Sequence, residues 1–202
     1  MGESGETADR DQSPDADAAA SSEQVTIGRP DVGVVDALVD LWVSLASDQR
    51  AHDSHILPTE NRSLVRETLA RQVVTDGVRI ARFGDEVVGF VSFDLERGSF
   101  EQDATRGVVR NVYVRPEYRG RGVGTDLMDA AEAALQEAGA SVVSLEAMAG
   151  NDRARAFYRE RGYAPHRIQF EKRVRAADER DEGPGETASD PSAENDTHSK
   201  ED

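Results

Sequence analysis

Between Val112 and Thr125 the chain reads Val-Tyr-Val-Arg-Pro-Glu-Tyr-Arg-Gly-Arg-Gly-Val-Gly-Thr, a run that few folds can accommodate. Alternating residues predict a strand over 107–115, which Pro116 ends because proline has no N–H for a ladder. Three glycines within five residues then let the backbone turn sharply and approach a ligand closely. Leu127, Met128, Ala131, Ala134 and Leu135 recur at helical spacing, so a helix is expected from Val123 to Ala138, stopped by Gly139. A further strand is expected over 141–147. A strand–helix–strand unit of this kind makes one parallel, right-handed crossover.

The turn has a chemical consequence. A helix that begins there directs its first unpaired N–H groups outward, and these, with the helix dipole, favour a phosphate. Arg119 and Arg121 add charge-assisted donors. A Walker loop needs Gly-Lys-Ser/Thr at the helix start, but Gly124-Thr125 has no lysine. The dinucleotide fingerprint needs a third glycine at 125, where threonine stands. A turn that binds nothing would leave two flanking guanidinium groups unexplained.

The rest of the chain frames this unit. Val25 to Ile27 reads as a first strand, and Asp31 can cap a helix carrying Val34, Val35, Leu38, Leu41, Trp42 and Leu45. That pattern fades near Asp48, and 48–61 reads as a loop. A second helix is expected from Arg62 to about Val74. Strands follow at 78–83 and 87–95, joined by a tight turn at Gly84-Asp85. A helix over 152–161, stopped by Gly162, and a closing strand over 166–174 complete the order β-α-α-β-β-β-α-β-α-β. The expected class is α/β (α+β), one domain around a mixed sheet of about six strands.

Charge separates this core from its ends. Residues 1–24 hold seven acids and one base, and 176–202 hold ten acids and two bases. The stretch 25–175 holds 23 acids and 21 bases, so it is nearly balanced. Both ends lack aromatic residues and almost all branched aliphatics. They cannot bury enough apolar surface to offset the entropy of ordering, and are expected to be disordered acidic tails. With no cysteine there is no disulfide, thiolate metal site or cysteine nucleophile. No secretory signal and no apolar run of membrane-spanning length is seen, so a soluble, cytoplasmic protein is expected. A core without net positive charge disfavours nucleic acid as a partner.

Two motifs give the reading a family. Arg119-x-x-Gly122-x-Gly124, after a Val-Tyr-Val-x-Pro strand, resembles the acetyl-CoA pyrophosphate loop of the GNAT (GCN5-related) N-acetyltransferase superfamily. Asn151-x-x-Ala154-x-x-Phe157-Tyr158-x-x-x-Gly162-Tyr163 resembles the last motif of the same family. Element order agrees from about Val25 to Val174. The resemblance implies acetyl transfer from acetyl-CoA to a primary amine by direct attack in a ternary complex, with no metal. The acid excess, and Arg outnumbering Lys by 22 to 2, suggest a salt-adapted source such as a halophilic archaeon.

Residue by residue, the resemblance implies that Val112, Tyr113 and Val114 form the strand edge that accepts the pantetheine arm. A backbone N–H of Val112 or Val114 would stabilise the oxyanion. Arg119, Gly120, Arg121, Gly122, Val123, Gly124 and Thr125 would hold the pyrophosphate, with Asn151 and Arg153 where further CoA contacts often lie. Tyr158 would protonate the departing thiolate. Many relatives carry a basic glutamate two residues ahead of the Val112 position, but here that residue is Arg110. Glu146 is the other candidate base, because its Leu-Glu…Asn…Tyr spacing resembles that of ribosomal-protein-type N-terminal acetyltransferases, whose base it would match. His55, in the loop between the first two helices, is a candidate acceptor contact. His52-x-x-His55 lacks a third ligand, so no metal is expected there. The alternative reading is a degenerate CoA-binding regulatory module of the same fold. The acceptor would be a small-molecule or peptide amine, and the chain a monomer or homodimer.

Overall fold

The computed structural model describes residues 24–96 and 101–174. The acidic ends, 1–23 and 175–202, lie outside the described residues, as does most of the loop expected at 97–102.

Residues up to Gly162 form one unit. Its elements are β1 (Thr26–Gly28), α1 (Val35–Arg50), α2 (Arg62–Val74), β2 (Val78–Phe83), β3 (Glu86–Leu95), β4 (Arg106–Val114), α3 (Val123–Glu137), β5 (Val142–Leu145) and α4 (Asp152–Glu160). The strands lie in the order β1-β2-β3-β4-β5. The first four pair antiparallel, and β4 pairs with β5 in parallel, as a crossover through α3 requires. Asp31 does cap a helix, but a single 3-10 turn over Val32–Val34, its side chain accepting from Gly33 N–H at 2.7 Å.

Helices cover both faces of the sheet, so β3 is buried from Val87 to Phe93 rather than alternating. On one face Phe90 packs with Leu38, Val39 and Leu41 of α1 and Leu69 of α2. On the other lies α3, which buries Leu127, Met128, Ala131 and Leu135. Glycine makes that approach possible. A Cβ on Gly89 would sit 2.8 Å from the Tyr113 carbonyl oxygen and 3.3 Å from Leu127 Cδ1, and one on Gly107 would sit 2.8 Å from Leu135 Cδ1.

One expected strand is absent. Residues 163–174 belong to a second unit and carry no regular secondary structure. Their alternation leaves Ile168, Phe170 and Val174 exposed. Alternating sequence makes a strand only where a neighbouring edge takes up its backbone groups, and no ladder among the described residues includes this segment. Among the described residues the sheet therefore has five strands, not six.

Candidate active site

The site is built where β4 and β5 part company. Their parallel ladder runs from Arg106↔Val142 to Val109↔Leu145 and stops there, because β5 ends at Leu145. On its other side β4 stays paired with β3, with one irregularity: Ser92 faces Asn111 while Phe93 faces Val109, so Arg110 is an extra residue. Such a bulge bends a strand and re-aims its groups. Asn111 Nδ2 donates to Ser92 Oγ at 2.8 Å across it.

Beyond the bulge the alternation of an antiparallel ladder decides which backbone groups are open. Arg115 N–H donates to Val88 O at 2.9 Å. Counting back, Tyr113 also turns its backbone towards β3, while Val112 and Val114 turn theirs into the gap left by β5. Tyr113 is buried, packing in the core with Phe90.

At the end of β4 the chain passes through a 3-10 turn, Pro116–Tyr118, into the glycine turn. Gly120 (φ 75°) and Gly122 (φ 85°) both adopt the left-handed conformation that side chains resist. Gly122 caps α3 without a side-chain hydrogen bond, and Asp126 N–H makes the first helical bond to its carbonyl. The first-turn N–H groups of Val123, Gly124 and Thr125 thus point out of the turn without a side-chain cap, as an anion site needs. A shallow groove lined by Thr125, Phe157, Glu160 and Arg161 adjoins them.

The two arginines of the turn are used differently. Arg121 is exposed, with its guanidinium 5.7 Å from the Tyr118 ring centre. Arg119 is engaged within the protein: Nε donates to Val114 O at 2.7 Å, and a terminal nitrogen donates to Asp48 at 2.9 Å. Its guanidinium also lies 5.3 Å from the Tyr113 ring centre.

A cleft opens beside the parted strands, lined by Leu45, Gln49, Arg110, Asn111, Val112, Glu146 and Tyr158 among others. Glu146 sits one residue past the end of β5 and is exposed. Tyr158 lies on α4, its ring 5.4 Å from that of Phe157. Burial pushes its phenol above the ordinary tyrosine range, so it is the neutral, proton-bearing form at physiological pH. Arg110 holds Asp94 of β3 in a two-pronged pair at 3.0 and 3.0 Å, which raises its already high pKa.

Thus Val112, Glu146 and Tyr158, far apart in sequence, line one cleft. Asn151 caps α4, its Oδ1 accepting from Ala154 N–H at 3.0 Å, and Arg153 is exposed on the first turn of that helix. His55 is exposed on the α1–α2 loop and does not line the cleft. Among the described residues no cluster of three His, Asp or Glu is placed to hold a metal. Sequence reasoning missed Leu45, Gln49 and Asn111. The signal for the first two was present: Leu45, Asp48, Gln49 and His52 recur at three- and four-residue spacing, a stripe that looked like core fading into loop.

The mixed sheet, the parted strands and the uncapped glycine turn define an acyltransferase-type fold, and comparison with known proteins gives the family. The profile of the acetyltransferase (GNAT) family matches residues 38–163, so the chain belongs to that family. A curated relative is an uncharacterized N-acetyltransferase from Archaeoglobus fulgidus, 37% identical over 83 residues. That match covers 41% of this chain and 56% of the relative, so the chain spans about half of that protein's length. Among solved structures, a GCN5-related N-acetyltransferase from Ralstonia eutropha aligns with a TM-score of 0.61 at 19% identity, covering 75% of this chain and 99% of the other. An aminoglycoside N-acetyltransferase in complex with CoA aligns with a TM-score of 0.59 at 13% identity, covering 76% of this chain and 96% of the other. At these identities the structural likeness concerns the fold.

Proposed function

We propose that this protein transfers the acetyl group of acetyl-CoA to a primary amine by direct attack within a ternary complex. One observation carries the reading: an uncapped helix start lies at the end of the same strand whose open backbone edge borders Tyr158 and Glu146. The donor set fits the cosubstrate. The first-turn amides of α3, with Arg121 beside them, suit a diphosphate. The carbonyl of Val112 and the N–H of Val114 suit the amides of a pantetheine arm.

On this reading each residue has a task in an atom-balanced step. Glu146 takes a proton from the incoming ammonium, directly or through one water, leaving a lone pair on nitrogen. The amine nitrogen attacks the thioester carbonyl carbon, and the N–H of Val112 stabilises the oxyanion that forms. As the carbon–sulfur bond breaks, the Tyr158 phenol, whose raised pKa keeps its proton available, gives that proton to the departing sulfur. The nitrogen sheds its second proton, which through water restores the phenol and leaves a neutral amide and free thiol. No covalent enzyme intermediate is needed, consistent with the absence of cysteine.

A second reading has a specific observation behind it. Arg110 occupies the place where many relatives carry a basic glutamate, and it is tied to Asp94. A CoA-binding module without turnover would show this. Calorimetric titration with acetyl-CoA, followed by thiol release with a panel of amines at low and high salt, separates the two. The panel includes an aminoglycoside, because one structural neighbour is an aminoglycoside N-acetyltransferase. Binding with thiol release supports the enzyme; binding with none across the panel supports the module; no binding removes both.

A further inference from the structure

Ala46 is the last buried side chain of α1, yet the helix runs on to Arg50 and its last turns face the cleft. Leu45 and Gln49 line that cleft, and between them Asp48 reaches Arg119 across 71 residues of chain. His52, one turn further along the same stripe, lies beside the β5–α4 loop, its Nδ1 4.0 Å from where a Cβ on Gly150 would stand. Arg119 is the first residue of the glycine turn, and its Nε bond to Val114 O fastens it to the open strand edge as well.

We propose that Asp48 is a positioning residue that acts through Arg119: it ties the cleft-facing end of α1, and with it Gln49, to the phosphate loop, so that a filled loop holds the acceptor wall in place. The inference rests on the acetyl-CoA reading above. Its physical basis is the absence of buried apolar anchoring between Ala46 and the end of α1. A helix end with little apolar burial opens easily, and a bond to a second element couples its opening to that element's order. Loop and helix are joined by a carboxylate–guanidinium bond of 2.9 Å, with side chains 54% and 29% exposed, so the coupling is modest rather than absolute.

Hydrogen exchange on the full chain, with and without acetyl-CoA, tests this in peptides spanning 119–127 and 46–56. The last-turn amides of α1 are suitable reporters, since His52 N–H bonds to Gln49 O at 2.9 Å and Ser54 N–H to the same carbonyl at 3.2 Å. In the wild type acetyl-CoA slows both peptides. In Asp48→Asn it still slows 119–127, but the slowing of 46–56 falls by about threefold, the size expected for a partly exposed ion pair. Asp48→Glu, which keeps the carboxylate, restores it. Equal slowing of 46–56 in wild type and Asp48→Asn overturns the inference, as does a wild type in which only 119–127 responds. If neither peptide responds in the wild type, the acetyl-CoA reading itself fails, and this inference with it.

Discussion

All four helices end on a residue in the left-handed conformation, but not on the same kind of residue. On the side of the glycine turn, α3 and α4 close on Gly139 (φ 93°) and Gly162 (φ 87°). On the other side, α1 and α2 are followed by Asp53 (φ 68°) and Asp76 (φ 60°). At α1, α2 and α3 the closing hydrogen bond is the same: Ala140 N–H to Leu135 O at 2.9 Å, Ser54 N–H to Gln49 O at 3.2 Å, Gly77 N–H to Gln72 O at 2.7 Å, each spanning five residues. A residue with a Cβ pays about 1 kcal/mol for this conformation where glycine does not. Asp76 offsets it: its carboxylate meets Arg79, whose side chain is 8% exposed, at 2.8 Å, and Arg29 at 3.0 Å. Asp53 makes no ion pair among the described residues. One half of the unit closes its helices without strain; the other keeps carboxylates at the same positions, and only one of them has structural work.

The division of labour is most easily broken at Tyr158. If the glycine-closed half performs the chemistry, Tyr158→Phe lowers kcat by about 100-fold or more, the usual scale for losing a general acid. Acetyl-CoA affinity by calorimetry and the circular dichroism spectrum stay as they are. Because burial raises the phenol's pKa, Tyr158 keeps its proton as pH rises, and loss of kcat from its ionisation begins only above the range in which an ordinary tyrosine titrates. An unchanged rate in the variant would reduce this half to a binding surface.

Asp76→Gly sharpens the other side of the comparison. It relieves the backbone but strips a buried guanidinium of its carboxylate, and breaking such a pair costs more than left-handed strain. A net loss of about 2 kcal/mol is expected from urea unfolding, moderated because Asp76 itself is half exposed. A gain in stability would mean that Arg79 is satisfied by the backbone carbonyls of Val78 and Asp76 alone.

The same contrast explains what could be read from the residues. Gly122, Gly139 and Gly162 announce their conformations, because a left-handed bend is what glycine allows, so α3, α4 and the glycine turn between β4 and α3 lay close to expectation. Asp53 and Asp76 announce nothing; the end of α1 looked like a pattern fading at Asp48, although its hydrogen bonds run on to Ser54. Tyr158, Glu146 and Val112 were legible through motifs. Asn111 was not, since its place depends on the bulge at Arg110, and Gln49 lay on a helical stripe that outlasts the apolar pattern. The strand expected over 166–174 had the right alternation, but alternation does not report whether an edge is available.

Two smaller effects test the conformational side directly. Gly122→Val puts a β-branched residue at φ 85°, where the new Cβ meets nothing within 4 Å. Any loss therefore comes from backbone strain at the anion site, and the acetyl-CoA dissociation constant should rise about tenfold. Affinity within a factor of two would show that the turn's left-handed bend is not what presents the amides.

Asp53→Gly is the smallest and most discriminating change. Glycine removes the left-handed strain but adds freedom to the unfolded chain, so the two terms oppose each other. With no ion pair lost among the described residues, the balance should favour the folded state by about 0.5 kcal/mol, read as a higher urea midpoint at unchanged slope. The opposite sign at Asp53 and Asp76, from the same substitution in the same backbone conformation, would show that the carboxylate and not the helix end sets the cost. A destabilised Asp53→Gly would instead reveal that Asp53 has a structural task of its own, and the two aspartates would then have to be read alike.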